Sequence, residues 1–525
     1  MTDEPHSLTA SDDTPATAAP LADAPAPDAP PPAFPAPTSE SAAAARSTVQ
    51  LSETLQTLLT ALLLAFVFRA FLIEAFIIPT GSMAEGLLGE HITVRCPRCG
   101  WEFDIGHSSE HDSGEVHKLV ATCPSCGLVL DADAVARLPI KSGDRLLVFK
   151  WPYALGGWCA PRRWDVIVFR NPGNPDESYI KRLIGLPGEA VELRDGDVFI
   201  DGRIAPKTPA AQASLWFLVA DQDYLAAPAS APRASAWVAE PASGPDAGWT
   251  GLDTRVIHCS ATAAEPRRLA LHRSIRDTYA YDEVPDRVPV GDLRLRTEVT
   301  WSGGAGWLRV ELERASRTFT ADFHADGRVV LRMCVGDEPW RELGVARIAP
   351  WRKGAPRACE FTHVDRRVSV AVDGRELLAT SERDYPRTLV AAMTEPHRTG
   401  AKLALVAADA ELELRGLRVD RDVYYLDTAD TRRADAAHPL RLEADEFFVL
   451  GDNSPASQDG RVWTVVDEQV AEFYRAHGLP EYRAGTVRRE LIVGRAFFVY
   501  LPGLLPLDAH GTSCVPDLGR ARFVR

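Results

Sequence analysis

Positive charge is scarce in this 525-residue sequence: 58 Lys and Arg stand against 73 Asp and Glu, a formal net charge of -15. A chain with nucleic acid as its main partner needs a basic excess for the phosphates, so the balance argues against that class of function. A disulfide framework is missing too. Nine cysteines fall at 96, 99, 123, 126, 159, 259, 334, 359 and 514. The first four form two tight C-x-x-C pairs and the others are scattered, the grouping of a metal site plus isolated thiols. Residues 1–47 lack large apolar groups, being mostly Ala, Pro, Ser, Thr and Asp. Such a composition cannot repay the entropy of ordering, and a disordered tail is expected.

What is present is enough apolar residue, 46% of the chain, for several cores and more than one domain. Leu58 to Phe68 is almost wholly apolar, and Phe71 to Ile78 resumes the pattern after Arg69, with Glu74 inside it. About 20 such residues at 1.5 Å each cross a hydrocarbon layer of roughly 30 Å. One membrane-spanning helix is expected over 48–78, with Arg69 and Glu74 near the interface. A cleaved secretory signal or a buried amphipathic helix are the alternatives. The long acidic tail and the lack of a clean small-x-small site weigh against the signal.

Beyond residue 79 the pattern turns to short strands. Arg145–Phe149, Asp165–Phe169, Tyr179–Leu183, Ala190–Leu193, Val198–Ile200, Glu446–Leu450 and Gly494–Tyr500 are strand-like and separated by turn signals such as Asn171-Pro172-Gly173. They form a mainly β core written in pieces, 79–95, 139–207 and 440–507. Between them, Leu293/Leu295, Leu308/Val310/Leu312, Val368/Val370/Val372 and Leu412/Leu414 alternate with polar residues. That period predicts half-buried antiparallel strands and a separate β-sandwich over 285–422. Residues 208–284 show no clear period and are expected to be an irregular connection.

A serine hydroxyl attacks an amide only with a base at hydrogen-bond distance and donors aimed at the developing oxyanion. A lysine serves as that base when its surroundings depress its pKa. Lys181, in Tyr179-Ile180-Lys181-Arg182-Leu183-Ile184, sits on a strand that would provide such surroundings. By themselves a Gly-Ser-Met is usually a loop, a Lys-Arg pair usually solvated, and a Gly-Asp-Asn usually a turn.

Four segments in order change that reading. Ile78-Pro79-Thr80-Gly81-Ser82-Met83, just after the apolar run, resembles the nucleophile box of the type I signal peptidase family. Gly143-Asp144-Arg145-Leu146-Leu147-Val148 resembles its second box. Arg163 to Arg170 with Tyr179 to Glu189 resembles the third, and Phe447 to Arg461 resembles the last. The resemblance implies a membrane-bound serine endopeptidase with Ser82 as nucleophile and Lys181 as general base. It implies an oxyanion hole from the Ser82 N–H and the Thr80 hydroxyl, and Ser457 orienting the lysine amine. An Asp459–Arg461 ion pair would buttress the site, and Asp452 and Asn453 would shape the closing turn. No cofactor is implied for catalysis. Secretory preproteins and the lipid bilayer are the implied partners, with a single pass through the cytoplasmic (inner) membrane and the catalytic domain on its outer face. The sequence departs from the family at Ala84-Glu85-Gly86, where Glu-Pro-Thr is common, and at Gly460, where Ser is common.

Cys96-Pro97-Arg98-Cys99-Gly100 and Cys123-Pro124-Ser125-Cys126-Gly127 are two knuckles, each turning two thiols towards one point. Together they suit a structural Zn²⁺ with no open position, in a zinc ribbon over 96–138. An oxidising compartment would instead allow disulfides at the same cysteines. His91, His107, His111 and His117 are expected at the surface, since four sulfurs complete the site. Asp104, Glu110, Asp112 and Glu115 make the ribbon a poor phosphate binder. The sandwich resembles laminin-G or concanavalin-like jelly rolls through His363 to Arg375, which implies carbohydrate or protein as its partner; a merely structural insertion is the alternative. Trp151, Tyr153, Trp158 and Trp164 suit either a belt at lipid headgroups or ordinary core packing. Two other functions stay open: a soluble, self-cleaving Ser/Lys peptidase without a spanning helix, and a non-catalytic envelope protein that binds through the sandwich.

Overall fold

The structure of the protein is a computed structural model. It describes residues 39–525 except 68–71, 108–120, 151–152, 154–156, 226–234, 242–247, 264, 279, 282–287, 397, 428–432, 479–480, 507–512 and 517. The expected tail at 1–38 lies outside these residues. Met1–Phe66 forms one unit and Val67–Arg525 another.

The first unit contributes a helix, Ser39–Val67, whose side chains from Glu53 to Val67 are all exposed, Leu58, Leu63 and Phe66 included. The helix does not run on to Ile78, as the apolar pattern suggested. Ile73–Ile77 is instead a strand paired antiparallel with Arg145–Phe149. β-branched and aromatic residues favour a pleated surface, and Glu74, inside the apolar run, meets Lys150 at 3.0 Å across that pair. Among the described residues no helix is long and apolar enough to cross a membrane.

The second unit is mainly β. One sheet runs in the order Ile73–Ile77, Arg145–Phe149, Ile492–Leu501, Val166–Asn171, Asn174–Gly185, Glu446–Leu450, Val487–Arg488, with Arg522–Phe523 added beside Ile492–Leu501. Central strands are buried on both faces, which is why Val166–Asn171 and Glu446–Leu450 read as apolar runs and not as alternations. A small sheet of Leu440–Arg441, Ala190–Arg194, Asp197–Ile200 and Arg203–Ile204 lies beside it in the chain.

Two larger sheets form the sandwich. The eight-stranded one is centred on Leu293–Gly303 and Ala410–Asp422, and the seven-stranded one on Trp307–Arg314 and Ala401–Ala408. Every residue of the four alternating sets read from the sequence is buried, and all ten line one apolar core with Phe319, Phe361 and Leu405. The stretch 208–284 differs from expectation. It holds Trp216–Asp221, Trp237–Glu240, Trp249–Thr250, Val256–Ala261 and Arg267–Leu271, all paired into the two sandwich sheets. These strands are mostly short and broken by Ala, Pro and Gly, so no period accumulates along them.

Two further expectations change. His91 is fully buried, exchanging backbone hydrogen bonds with Lys141 and holding the Gly89 carbonyl at 2.8 Å from its Nδ1. Trp164 is buried and donates its indole N–H to the Pro206 carbonyl at 3.0 Å, and the Tyr153 hydroxyl donates to Asp165 at 3.0 Å, so both serve packing. Trp151, the Trp158 side chain, His111 and His117 lie outside the described residues.

Candidate active site

Ser82 sits on a turn that leaves strand Ile73–Ile77, and the Gly143-Asp144 pair clips both ends of that turn. The Ile78 N–H donates to the Asp144 carbonyl at 3.0 Å. The Leu88 N–H donates to the Asp144 carboxylate at 3.1 Å, and the Asp144 N–H donates back to the Leu88 carbonyl at 2.9 Å. Position 143 must be glycine because a Cβ there would lie 1.8 Å from the Ile78 carbonyl oxygen. Met83 and Leu87 then drop into the core against Ile78, Leu146 and Val148. Ser82 itself is 7% exposed.

Lys181 comes from strand Asn174–Gly185, opposite Ile167 in the neighbouring strand. It is 3% exposed. Its Nζ lies 2.6 Å from Ser82 Oγ, across 99 residues of sequence. Burial pushes its pKa from the usual 10.5 down to about 8, with Asp459 and Asp452 opposing the fall and Arg461 adding to it. An amine near neutrality at hydrogen-bond distance from a hydroxyl can accept that hydroxyl's proton.

The loop from Gly451 to Arg461 closes over this pair. The Asn453 N–H donates to the Ser82 carbonyl at 3.1 Å, and Asn453 Nδ2 donates to the Gly81 carbonyl at 3.2 Å. Gly451 passes so close that a Cβ would stand 2.2 Å from Ser457 Oγ and 2.5 Å from the Ser82 carbonyl oxygen. Asp459 and Arg461, both buried, pair through two hydrogen bonds of 2.8 and 2.7 Å, and Asp459 also accepts the Gly451 N–H at 3.0 Å. Arg461 further donates to the Ser454 hydroxyl and carbonyl, each at 2.7 Å.

Two sequence-named residues, Asp452 and Ser457, stand differently from expectation. Asp452 is the partner of Arg182, which donates to both carboxylate oxygens at 2.7 Å, so it does more than shape a turn. The Ser457 hydroxyl is buried beside Gly451 and has no hydrogen-bond partner among the described residues; it does not bond the Lys181 amine. Thr80 is half-buried, with its carbonyl group packed on Gly89. Sequence reasoning missed the part played by Arg182, although a second cation inside an apolar strand was the available signal. It also missed the Asp144 clip and, entirely, Tyr281, whose ring lies on Gly81.

At the second site the four cysteine sulfurs lie within 4.8 Å of one another, with 3.6 Å between Cys96 and Cys126 and between Cys99 and Cys123. None is in a disulfide. Tetrahedral zinc with Zn–S of about 2.3 Å separates its sulfurs by about 3.8 Å, so the donor set fits that ion. Each knuckle is closed by a glycine at positive φ, Gly100 and Gly127, whose N–H donates to the carbonyl of Cys96 or Cys123 at 2.9 Å.

Residues 136–232 and 369–501 match the family model described as signal peptidase, peptidase S26. Lys181 and the 451–461 loop fall inside the match, and Ser82 precedes it. Among curated proteins, the chain is similar to signal peptidase I of Rickettsia canadensis, 44% identical over 50 residues, 10% of this chain and 19% of that protein. It is also similar to signal peptidase I of Bacillus caldolyticus, 38% over 64 residues (12% and 32%), and of Leptolyngbya laminosa, 42% over 71 residues (12% and 34%). The chain thus spans about a fifth to a third of the length of these relatives. These matches support an S26-type peptidase. Among solved structures, a carbohydrate binding module, CBM66 from Bacillus subtilis, aligns at 10% identity over 35% of this chain and 95% of that one, with a TM-score of 0.24. Galectin LEC-6 of Caenorhabditis elegans aligns at 15% identity over 27% and 91%, with a TM-score of 0.19.

Proposed function

We propose that this protein is a membrane-bound serine endopeptidase that removes N-terminal signal peptides from secretory preproteins, with Ser82 as nucleophile and Lys181 as general base. The observation that carries the reading is the 2.6 Å contact between a buried lysine amine and a buried serine hydroxyl. Neutral Lys181 takes the Ser82 proton as Oγ attacks the scissile carbonyl. The resulting ammonium returns that proton to the leaving amine, and an ester to Ser82 remains. Water then attacks the ester with Lys181 again as base, which frees the new carboxyl end and restores the hydroxyl. In this proposal the Ser82 N–H and the Thr80 hydroxyl hold the oxyanion. Asp459 and Arg461 support the loop that keeps Ser82 against Lys181.

The proposal extends to the rest of the chain. The exposed apolar face of helix Ser39–Val67 would hold the enzyme at the inner membrane with the catalytic domain on the outer face, since so many exposed leucines are costly in water. Cys96, Cys99, Cys123 and Cys126 would hold a structural Zn²⁺, which fastens the ribbon and takes no part in the reaction. The sandwich would bind carbohydrate or protein.

The deciding experiment is cleavage of a preprotein in detergent by wild type, Ser82→Ala and Lys181→Ala. Each substitution is expected to lower kcat by about 10³-fold or more. Normal cutting by either variant would sink the assignment. A chain that acts only as a sandwich-based binding protein leaves the preprotein uncut in all three forms. Membrane fractionation separates the proposal from a soluble self-cleaving peptidase, and zinc analysis with thiol counting decides the state of the four cysteines.

A further inference from the structure

Residues 275–278, 280 and 281 follow the sandwich strand Arg267–Leu271 in the chain and link it to the turn that carries Ser82. The first four are tied to the sandwich. The Val290 N–H donates to the Ile275 carbonyl at 3.0 Å and the Asp277 N–H to the Val288 carbonyl at 2.9 Å. Buried Arg421 donates to the Thr278 carbonyl at 2.6 Å and meets Asp277 at 3.3 Å. Ala280 and Tyr281 are tied to the nucleophile loop and to the strand Glu102–Gly106. The Ala280 N–H donates to Glu85 at 3.4 Å, the Tyr281 hydroxyl donates to the Glu90 carbonyl at 2.7 Å, and the Gly106 N–H donates to the Tyr281 carbonyl at 2.7 Å.

Tyr281 is 3% exposed and forms an apolar cluster with Ala84 and Leu88, both within seven residues of Ser82. A Cβ on Gly81 would stand 1.9 Å from Tyr281 Cε1 and 2.5 Å from Cδ1. Gly81 does not have a positive φ, so its backbone conformation does not demand glycine; the tyrosine ring does. On its carbonyl side Gly81 is held by Asn453 Nδ2 at 3.2 Å and by the Ala84 N–H at 2.9 Å. The residue before Ser82 is therefore clamped between a ring from the inserted sandwich and the loop that carries Asp459 and Arg461.

We infer that Tyr281 is a positioning residue for the reaction: its ring, contributed by the inserted sandwich, fixes the Gly81-Ser82 turn so that the Ser82 hydroxyl stays within reach of Lys181. This rests on the Ser82/Lys181 reading proposed above. A nucleophile displaced by about 1 Å loses on the order of 100-fold in rate, so the clamp is expected to act on kcat and not on substrate affinity. The ring is what matters, since it fills the space over Gly81, while the hydroxyl only pins it to the Glu90 carbonyl.

The test uses the full chain in detergent with a preprotein substrate. Tyr281→Ala is expected to lower kcat roughly 10- to 100-fold with KM within about twofold, and to leave the alkaline rise near pH 8 in place because Lys181 is untouched. Tyr281→Phe keeps the ring and is expected to stay within about threefold of wild type in kcat. Gly81→Ala should abolish cutting, and adding Tyr281→Ala to it should recover part of the lost rate by vacating the space a methyl group needs. If thermal unfolding shows Tyr281→Ala to be unfolded, Tyr281→Leu takes its place with the same expectation. An unchanged kcat in Tyr281→Ala or Tyr281→Leu, or a Gly81→Ala defect that loss of the ring does not relieve, overturns the positioning role alone. A wild type that fails to cut, or a Ser82→Ala variant that cuts normally, overturns the functional reading instead, and the positioning role with it.

Discussion

The sheet that carries Lys181 and the pair of sheets in the sandwich bury their interiors by different means. Between the sandwich sheets the filling is apolar: Leu293, Leu295, Val299, Leu308, Val310, Leu312, Phe319 and Phe361 pack face to face. The sandwich buries ions as well, Lys207 meeting Asp365 at 2.6 Å and Asp422 at 2.7 Å and Arg314 meeting Asp292 at 2.6 Å, and there the paired carboxylates raise the lysine's pKa against the effect of burial. Around Ser82, by contrast, Lys181, Arg182, Asp452, Asp459 and Arg461 are all buried within one sheet and its closing loop. Burying paired charges is often no more stable than burying hydrocarbon of the same shape, because desolvation offsets the attraction. Around Ser82 the buried ions surround Lys181, the one lysine among the described residues whose pKa is brought near neutrality, and function explains that placement better than stability does.

The largest effect that would break this contrast comes from halving an ion pair. Asp459→Ala leaves Arg461 buried without its carboxylate and is expected to cost about 3–5 kcal/mol in urea unfolding, along with cutting activity. Replacing both partners by hydrocarbon, Asp459→Leu with Arg461→Met, should return much of the stability but not the activity. If activity returns as well, the pair is mere packing. In the sandwich the matching change is Leu312→Ala, expected to cost about 3 kcal/mol through the cavity it leaves, with the cleavage rate retained by the fraction that stays folded.

A comparable effect is expected from pH. The folded pKa of Lys181, about 8, is below the 10.5 of the unfolded chain, so between these values the unfolded state binds more protons. Stability should therefore rise with pH across that window, by on the order of 3 kcal/mol from this group. Lys181→Met should flatten that rise, which pH-dependent urea unfolding would measure. The cleavage rate should climb through about pH 8 as the amine loses its proton. The smallest effect belongs to an exposed pair of the sandwich. Lys402 and Glu313 approach to 2.8 Å, but the lysine side chain is 77% exposed, and Lys402→Ala should change stability by less than about 0.5 kcal/mol. A larger loss would mean that the surface of the sandwich is covered in the working protein.

Much of the fold was legible along the chain. The sandwich strands 293–303, 307–314, 367–372 and 410–422 follow from alternation, because side chains on a strand repeat every two residues and one face must leave water. The two cysteine knuckles follow from spacing, since a C-x-x-C-Gly turn is a local structure. The strands of 208–284 were not legible, because each is too short for a period to emerge and their partners lie far along the chain. The helix end at Val67 was missed for a related reason: Ile73–Ile77 is apolar enough for a helix, and only its pairing with Arg145–Phe149 makes it a strand.

The sequence alone therefore determined the parts whose reason is local: the alternating strands, the knuckles, and the candidate residues Ser82, Lys181, Asp459 and Arg461, which the order of four motifs marked out. Only the tertiary structure decided which side chains meet. Lys181 reaches Ser82 across 99 residues, Arg182 reaches Asp452 across 270, and Tyr281 reaches Glu90 across 191. Contacts at such separations depend on how sheets pack and on where an insertion returns to the core. No short-range period or motif encodes that, which is why a tyrosine in a stretch without pattern came to lie on the turn beside the serine.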